Sequence, residues 1–209
     1  MFALIDDQQI TKFFSGNKGV TIGDVQYPKS IFTLWSEAER NAIGIYEVTI
    51  NTTNKKDEQW YINTNVSYGV ESNKAVGSYG TATAKAHADS TYTNQDKTDG
   101  LIPDGKDVGD IKDRGLKYNL IQTVKKQAAG ILQETDWYIT RKADAGTAVP
   151  SSITTHRAAV RTKAAEQETA ITNAADTPAL ETLYTYVNTG TEENPVMERP
   201  LGELPTLES

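Results

Sequence analysis

The spacing of apolar residues changes near residue 100, and this change limits the folds open to the chain. Before it, apolar residues alternate or form short runs rich in β-branched and aromatic types, at positions 2–5, 10–14, 45–50, 60–66 and 68–79. Such runs predict short strands joined by polar turns. After it, apolar residues recur at steps of three and four, which predicts helices. The sequence therefore predicts an α+β protein.

The first half contains one helix signal. Ser36 followed by Glu39 forms a capping box, in which the serine accepts from the helix backbone and the glutamate reaches back to the cap. Gly44 suits the left-handed residue that ends a helix. We therefore predict a small antiparallel β-rich domain with one short helix over residues 1–92.

The second half contains three helix signals within residues 116–189. The first is an apolar stripe of Leu116, Leu120, Ile121, Val124, Ala128, Ile131 and Leu132. The second begins at Ser151-Ser152, which we expect to act as caps behind Pro150, and continues with the stripe Ile153, Val160, Ala164 and Ile171. The third begins at Thr177-Pro178, read as a cap followed by a proline at the first helical position. Three such helices predict a helical hairpin or a three-helix bundle.

Two further segments complete the predicted organisation. Residues 93–115 are rich in Asp and Gly, and calcium could be bound by Asp96, Asp99, Asp104, Asp107 and Asp110. No register of this segment fits an EF-hand, which needs alternating carboxylates, a central glycine and a final glutamate. A solvated linker is therefore the preferred interpretation, with no metal site. Residues 190–209 are rich in Pro and Glu, and we expect them to form an extended acidic tail.

Composition and motifs exclude several classes of function. A net charge of −7 disfavours binding to nucleic acid, and no apolar run is long enough for a membrane-spanning helix. The amino-terminal residues also lack the basic region of a secretion signal. With no cysteine, no catalytic motif and two histidines, His87 and His156, in unlike contexts, the chain offers no paired acid and base. We therefore predict a protein that is not an enzyme and uses no cofactor.

Five residues are candidates for an interface or a hairpin clamp. Trp35 and Trp137 are the large, rigid side chains that dominate protein interfaces, although we expect both to lie mainly in a core. Arg157 and Arg161 are four residues apart and therefore share a helix face, from which they can pair with Asp136. A clamp between the two helices is preferred over a ligand site.

Residues 116–164 resemble the phage tail assembly chaperone family. That family has a helix ending in a Leu-x-x-x-Asp-Trp element, a short polar loop, and a second helix with a Tyr-Arg-x-x-Leu-Arg type signature. The matching positions are Ile131-Leu132, Asp136-Trp137, Arg157 and Arg161, whereas His156 and Val160 depart from the usual tyrosine and leucine. Residues 27–48 are similar to amino-terminal modules of phage tail-fibre assembly and tail proteins, in which a Trp-headed helix leads into a strand.

The resemblance implies a bacteriophage protein that binds tail or tail-fibre subunits without covalent chemistry. We expect a structural component of the virion tail, made in the host cell cytoplasm and homo-oligomeric. One alternative is a transient tail-fibre assembly chaperone that does not remain in the virion. A second alternative is a carbohydrate-binding tail module, whose sugar-facing aromatic residues would be Trp60, Tyr61, Tyr68 and Tyr79.

Overall fold

The computed structural model describes residues 1–207 and divides the chain into two compact units, with the boundary between Thr83 and Ala84. The first unit is rich in strands and the second contains the long helices, as the change in sequence period predicts. The boundary lies earlier in the chain than the predicted one after residue 92. The segment following it therefore belongs to the helical unit.

The first unit consists of short strands and two short helices. The strands are β1 (Phe2–Asp6), β2 (Gln9–Phe14), β3 (Val20–Ile22), β4 (Val25–Tyr27), β5 (Ile45–Glu47), β6 (Thr49–Asn51), β7 (Tyr61–Ile62), β8 (Ser67–Glu71) and β9 (Lys74–Ser78). The helices are α1 (Ile31–Leu34) and α2 (Glu37–Ala42). The predicted runs at 2–5 and 10–14 correspond to β1 and β2. The long run at 68–79 is a hairpin of β8 and β9, which turns at Ser72 and Asn73 with φ of 49° and 59°.

The strands form several small sheets. One has the order β2-β1-β5 and is antiparallel throughout, and β3 pairs with β4 in an antiparallel hairpin. Another has the order β6-β9-β8, in which β8 and β9 are antiparallel but β6 and β9 are parallel. The predicted antiparallel arrangement therefore does not extend to this pair, which is parallel. A parallel pair requires a long connection, and the intervening chain between β6 and β9 provides it.

The core of the first unit is aromatic and β-branched. It consists of Phe14, Val20, Ile31, Phe32 and Ile45, which are all buried. Ile31 and Phe32 belong to this core, and their burial stabilises the one-turn helix α1. No signal in the sequence predicted this helix. The predicted helix α2 has the complete Ser36 capping box, and Gly44 after it has the left-handed φ of +79°.

The second unit contains the short helix α3 (Asn94–Thr98) and the longer helices α4 (Leu116–Gln133), α5 (Asp136–Ala145), α6 (Ser151–Asn173) and α7 (Thr177–Tyr184). The strands are β10 (Thr83–Ala84) at the boundary between the units, β11 (Ser90–Thr91), β12 (Ile111–Asp113), β13 (Val187–Asn188) and β14 (Met197–Glu198). The buried apolar residues of α4 and α6 lie on the predicted stripes, and they include Val124, Ala128, Ile153, Val160, Ala164 and Ile171. Leu180 of α7 is also buried.

Two predicted helix caps differ in the structure. Helix α6 has Pro150 at its cap position with no side-chain hydrogen bond, so the serines after it are helical residues rather than caps. Helix α7 is capped by Asp176, whose carboxylate accepts from the Ala179 amide at 2.8 Å. The Thr177 hydroxyl is buried and donates to the Lys85 carbonyl at 2.6 Å. The Asp176 carboxylate, one residue earlier, therefore takes the capping role, while the Thr177 hydroxyl donates elsewhere.

The Asp/Gly-rich segment is folded rather than a simple linker. Thr93 and Asp96 form a capping box at the start of α3, and β12 pairs antiparallel with β11. The Asp96 carboxylate also accepts from the Lys112 ammonium at 2.5 Å. Hydrogen bonds from Lys112 and Thr93 hold the pKa of Asp96 well below its usual range, although desolvation opposes them. Asp96 is therefore a structural carboxylate that joins α3 to β12.

The carboxyl-terminal segment, predicted to be an extended tail, is partly folded against the helical unit. Strands β13 and β14 form an antiparallel hairpin, and Leu201 is buried. The Leu201 amide donates to the Leu183 carbonyl at 3.0 Å, and the Gln167 side chain donates to the Gly202 carbonyl at 2.9 Å. Burial of Leu201 and these two hydrogen bonds help to attach a segment whose composition is otherwise that of a solvated chain. Residues 208 and 209 of the predicted tail lie outside the described residues.

Candidate interaction surface at the helix clamp

The break between α4 and α5 forms the centre of the candidate site. Helix α4 ends at Gln133, and Thr135 turns the chain with φ of −113° before α5 begins at Asp136. The Thr135 hydroxyl is buried and donates to the Leu132 carbonyl at 3.0 Å. The Asp-Trp element therefore begins a helix of its own, whereas the resemblance implies that it ends the first helix. The polar loop comes later in the chain, at residues 146–150, and begins with Gly146 in the left-handed conformation.

Arg157 on α6 holds this break through three contacts. One terminal nitrogen donates to the Leu132 carbonyl at 2.6 Å and to the Thr135 hydroxyl at 2.7 Å. The other lies 2.8 Å from the Asp136 carboxylate. The Arg157 side chain is 9% exposed, whereas that of Asp136 is 57% exposed. The predicted pairing of Asp136 with an arginine of the second helix is therefore present, and the buried arginine also satisfies backbone at the end of α4.

The second arginine and the neighbouring histidine do not join this clamp. Arg161 donates weakly to the Arg157 carbonyl at 3.4 Å, one turn back on its own helix, and is exposed. It therefore does not pair with Asp136, which Arg157 already occupies. His156 is buried beside Arg157 on α6. The tyrosine-to-histidine departure from the family signature thus falls at a packed position.

Trp137 lies at the surface and not in a core. Its side chain is 51% exposed. The centroid of its ring lies 3.8 Å from the Tyr138 ring centroid and 4.7 Å from the Arg141 guanidinium. Arg141 also lies 5.4 Å from the Tyr138 ring. The expectation of a core tryptophan is wrong here because the break at Thr135 starts a new helix, and no residue of α5 is fully buried. We call Trp137, Tyr138 and Arg141 the α5 surface cluster.

Trp35 lies in the first unit and has a different role. Its ring is half-buried, packs against the core, and meets the Tyr27 ring edge-on with centroids 5.9 Å apart. Its backbone carbonyl accepts a hydrogen bond from the Arg40 guanidinium. The predicted core location of Trp35 is therefore consistent with the structure, and this residue is not part of the helix clamp.

The aromatic residues considered for sugar binding do not form an exposed set. Trp60 is 3% exposed and Tyr61 is 5% exposed, so neither ring face is free to stack on a ligand. Tyr68 is more exposed, but its ring lies edge-on to Phe13 at 5.0 Å. Tyr79 is half-buried, with the Lys55 ammonium 5.7 Å from its ring centroid. These strand aromatics mainly pack within the unit.

A second polar cluster near the carboxyl terminus was not predicted. Arg199 lies 5.4 Å from the Tyr184 ring and 5.8 Å from the Tyr186 ring, and it pairs with Glu203 at 2.7 Å. The Tyr186 hydroxyl donates to Glu203 at 2.5 Å, which raises the pKa of Tyr186. Burial favours the neutral form of Glu203, but hydrogen bonds from Tyr186 and Arg199 outweigh it and lower its pKa. The sequence signal for this cluster is the four-residue spacing of Arg199 and Glu203. It lies in the segment that we expected to form an extended tail.

The described residues hold no group of three or more side chains of the types that bind metals, and no helix among them has the length and apolarity to span a bilayer. Comparison of the chain with known protein families, with characterised protein sequences and with solved structures found no match. The candidate function therefore depends on the resemblance and on the geometry of the clamp and the α5 surface cluster.

Proposed function

We propose that this protein is a bacteriophage tail-associated structural protein that binds tail or tail-fibre subunits and has no enzymatic activity. It is made in the host cell cytoplasm and remains in the virion tail as a homo-oligomer. Support comes first from the resemblance of residues 116–164 to phage tail assembly chaperones. Asp136 belongs to the Asp-Trp element of this resemblance, and Arg157 belongs to its second-helix signature. The two side chains lie 2.8 Å apart in the structure, so the two elements meet at the helix clamp.

The observation that carries the proposal is the exposure of Trp137 directly beside this clamp. Tryptophan and arginine are the side chains most enriched among residues that dominate binding energy at interfaces. Here Trp137 and Arg141 are stacked on one face of α5, and the helix start is fixed by the buried Arg157. A fixed aromatic side chain loses little conformational entropy on binding. We infer that the α5 surface cluster is the contact for the partner subunit.

The chain is longer than a helical hairpin and contains a complete β-rich unit with its own core. A minimal chaperone hairpin does not need such a unit. This favours a component that remains in the particle over a factor that leaves after assembly. The transient chaperone remains the alternative that the experiment below distinguishes.

Mass spectrometry of purified particles of the encoding phage tests the proposal. We expect the polypeptide in particles purified by two independent gradients, at a fixed ratio to a known tail protein. Absence from the particles, combined with co-purification with a fibre or tail protein from infected lysate, would support the transient chaperone. Absence from both would contradict any role in the tail.

A pair of variants tests the proposed contact. Trp137→Ala removes the exposed ring, whereas Tyr118→Ala removes an aromatic side chain that is 38% exposed and lies under Arg114 at 4.0 Å. Both rings are exposed on helices of the same unit and each contacts an arginine. We expect Trp137→Ala to weaken capture of the tail partner by at least about 30-fold, corresponding to about 2 kcal/mol. Tyr118→Ala should leave capture unchanged, and equal effects of the two variants would contradict the assignment.

A further inference from the structure

The helical unit contains two Asp-Gly pairs, Asp99-Gly100 and Asp104-Gly105, only five residues apart. In such a pair the backbone nitrogen of the glycine can attack the side-chain carboxyl carbon of the aspartate, because glycine has no side chain to hinder the approach. The reaction needs a peptide group that can rotate and a carboxyl group that is free to turn toward the nitrogen. The dipeptide is the same in both places, so the surrounding structure determines which pair can react.

The first pair is held at the carboxyl end of α3. Asp99 ends this helix with φ of −81° and ψ of 0°, and its amide donates to the Gln95 carbonyl at 2.9 Å. The Gly100 amide donates to the Lys97 carbonyl at 3.2 Å. The Asp99 carboxylate accepts a hydrogen bond from the Gln95 side chain at 2.8 Å. The attacking nitrogen and the carboxyl group of this pair therefore both have partners, which hold them apart.

The second pair lies in an exposed turn between α3 and β12. The Lys106 amide donates to the Pro103 carbonyl at 3.1 Å, which places Asp104 and Gly105 at the two central positions of the turn. Gly105 has φ of +80°, and a Cβ at this position would have no atom within 4 Å.

The reacting groups of this second pair have no protein partners. In the part of the chain that the structure describes, the peptide group between Asp104 and Gly105 makes no hydrogen bond to another protein group. The Asp104 carboxylate likewise has no ion-pair partner among the described residues. Rotation of this peptide group therefore breaks no hydrogen bond of its own, in contrast to the pair at the end of α3.

We propose that Asp104 is a site of spontaneous modification, at which the folded protein converts aspartate to isoaspartate. The Gly105 nitrogen forms a bond to the Asp104 Cγ. The nitrogen loses its proton and the carboxyl group loses its hydroxyl, so one water leaves and a five-membered succinimide ring remains. Water then adds to one of the two ring carbonyls. Cleavage of the bond from nitrogen to Cγ restores aspartate, whereas cleavage of the bond to the main-chain carbonyl gives isoaspartate.

The product changes the backbone and not the charge. The main chain of isoaspartate runs through the side-chain carbons, so it gains one methylene, and the free carboxylate is attached directly to Cα. The hydrogen bond from Lys106 to Pro103 requires the spacing of a normal four-residue turn, and we expect it to be lost. This site does not depend on the proposed role in the tail.

Incubation of the full chain in water enriched in ¹⁸O, followed by peptide mapping, tests the proposal. Electron-transfer fragmentation breaks the Cα–Cβ bond of isoaspartate and so identifies its position. We expect isoaspartate to form at Asp104 at least about tenfold faster than at Asp99, which corresponds to about 1.4 kcal/mol in activation free energy. Each isoaspartate should contain at least one oxygen from the water, because hydrolysis of the succinimide adds it.

The same chain unfolded in urea is the matched control for the role of the structure. Both pairs then lose their local contacts, so the two rates should become similar, mainly because Asp99 reacts faster. A rate difference that persists in urea would assign the selectivity to the neighbouring sequence and would overturn the proposal. Equal rates at the two positions in the folded chain would also overturn it.

Asp104→Glu tests the chemistry of the step. The longer side chain would have to close a six-membered ring, which forms much more slowly, so the modification at this position should disappear while the rate at Asp99 stays the same. Circular dichroism would show that the variant folds, as expected for an exposed position. Absence of isoaspartate at Asp104 in the original chain, or isoaspartate there without solvent oxygen, would overturn the proposal.

Discussion

The buried Arg157 guanidinium lies 2.8 Å from the largely exposed Asp136 carboxylate, so the two partners of this ion pair lie in different environments. The arginine also donates to the Leu132 carbonyl and the Thr135 hydroxyl. Removal of the aspartate would leave an arginine with two remaining acceptors. Removal of the arginine would leave a helix end without its donors. The two halves of the pair therefore contribute unequally to stability.

Arg157→Met should lower the free energy of unfolding by about 2–3 kcal/mol, because it keeps an apolar stem of similar length but removes the charged donors. Asp136→Asn should cost less than about 1 kcal/mol, since the carboxylate is exposed and the ion pair is screened by water. Urea unfolding followed by circular dichroism measures both values. Arg161→Ala is the control and should change stability by less than about 0.5 kcal/mol. Equal losses for Arg157→Met and Asp136→Asn would show that the ion pair, and not the helix end, dominates.

The clamp illustrates what could be predicted from the sequence. The spacing of Arg157 and Arg161 placed both on one face of a helix, and Asp136 lay within reach at the preceding turn. Which arginine would make the contact could not be predicted, because that depends on where α4 ends. The break at Thr135 is stabilised by Arg157, a residue more than twenty positions later in the chain. Local propensity contains no information about such a contact.

The same reason explains the other differences in the fold. Helix α1 forms because Ile31 and Phe32 are buried, and β6 pairs in parallel with β9 across a long connection. The capping box at Ser36 and the left-handed Gly44 were predicted because each depends on a few neighbouring residues. Not every short-range signal was correct, since Pro150 and Asp176 take the cap positions predicted for Ser151-Ser152 and Thr177. Helix α1 and the parallel pair depend on distant partners, and no local signal predicted them.

Exposure of Trp137 can be checked by fluorescence, because the other tryptophans are less exposed. Trp137→Phe should shift the emission to shorter wavelength and reduce quenching by acrylamide, since the most exposed indole is lost. It should change stability by less than about 0.5 kcal/mol, as expected for an exposed position. Trp60→Phe is the matched control, and because Trp60 is 3% exposed its loss should increase the quenched fraction. The opposite pattern would place Trp137 in a core.

Asp96 should make the helical unit sensitive to acid. Its pKa in the folded protein lies well below the unfolded value of about 3.9, mainly because Lys112 and Thr93 donate hydrogen bonds to it. The stabilisation is therefore complete above the unfolded pKa and is lost as pH falls toward the folded pKa. Asp96→Asn should lower the melting temperature at pH 7 and reduce its fall between pH 5 and pH 2.

The matched control for this prediction is Asp104→Asn, which changes an exposed carboxylate of the same segment. It should leave both the melting temperature and its dependence on pH unchanged. Calorimetry at several pH values would measure both variants. An identical pH dependence for Asp96→Asn and the original chain would mean that this carboxylate does not contribute to acid unfolding.

The carboxyl-terminal segment should be released by one substitution. Leu201 is 3% exposed and its amide donates to the Leu183 carbonyl, so Leu201→Ala should cost about 2–4 kcal/mol of local or global stability. Limited proteolysis should then cleave between residues 190 and 207 at a rate at least tenfold higher than in the original chain. Leu207→Ala changes a leucine of the same segment that is 42% exposed, and its cleavage rate should be unchanged. If the original chain is cleaved as fast as Leu201→Ala, burial of Leu201 does not hold the segment, and the acidic composition alone determines its behaviour.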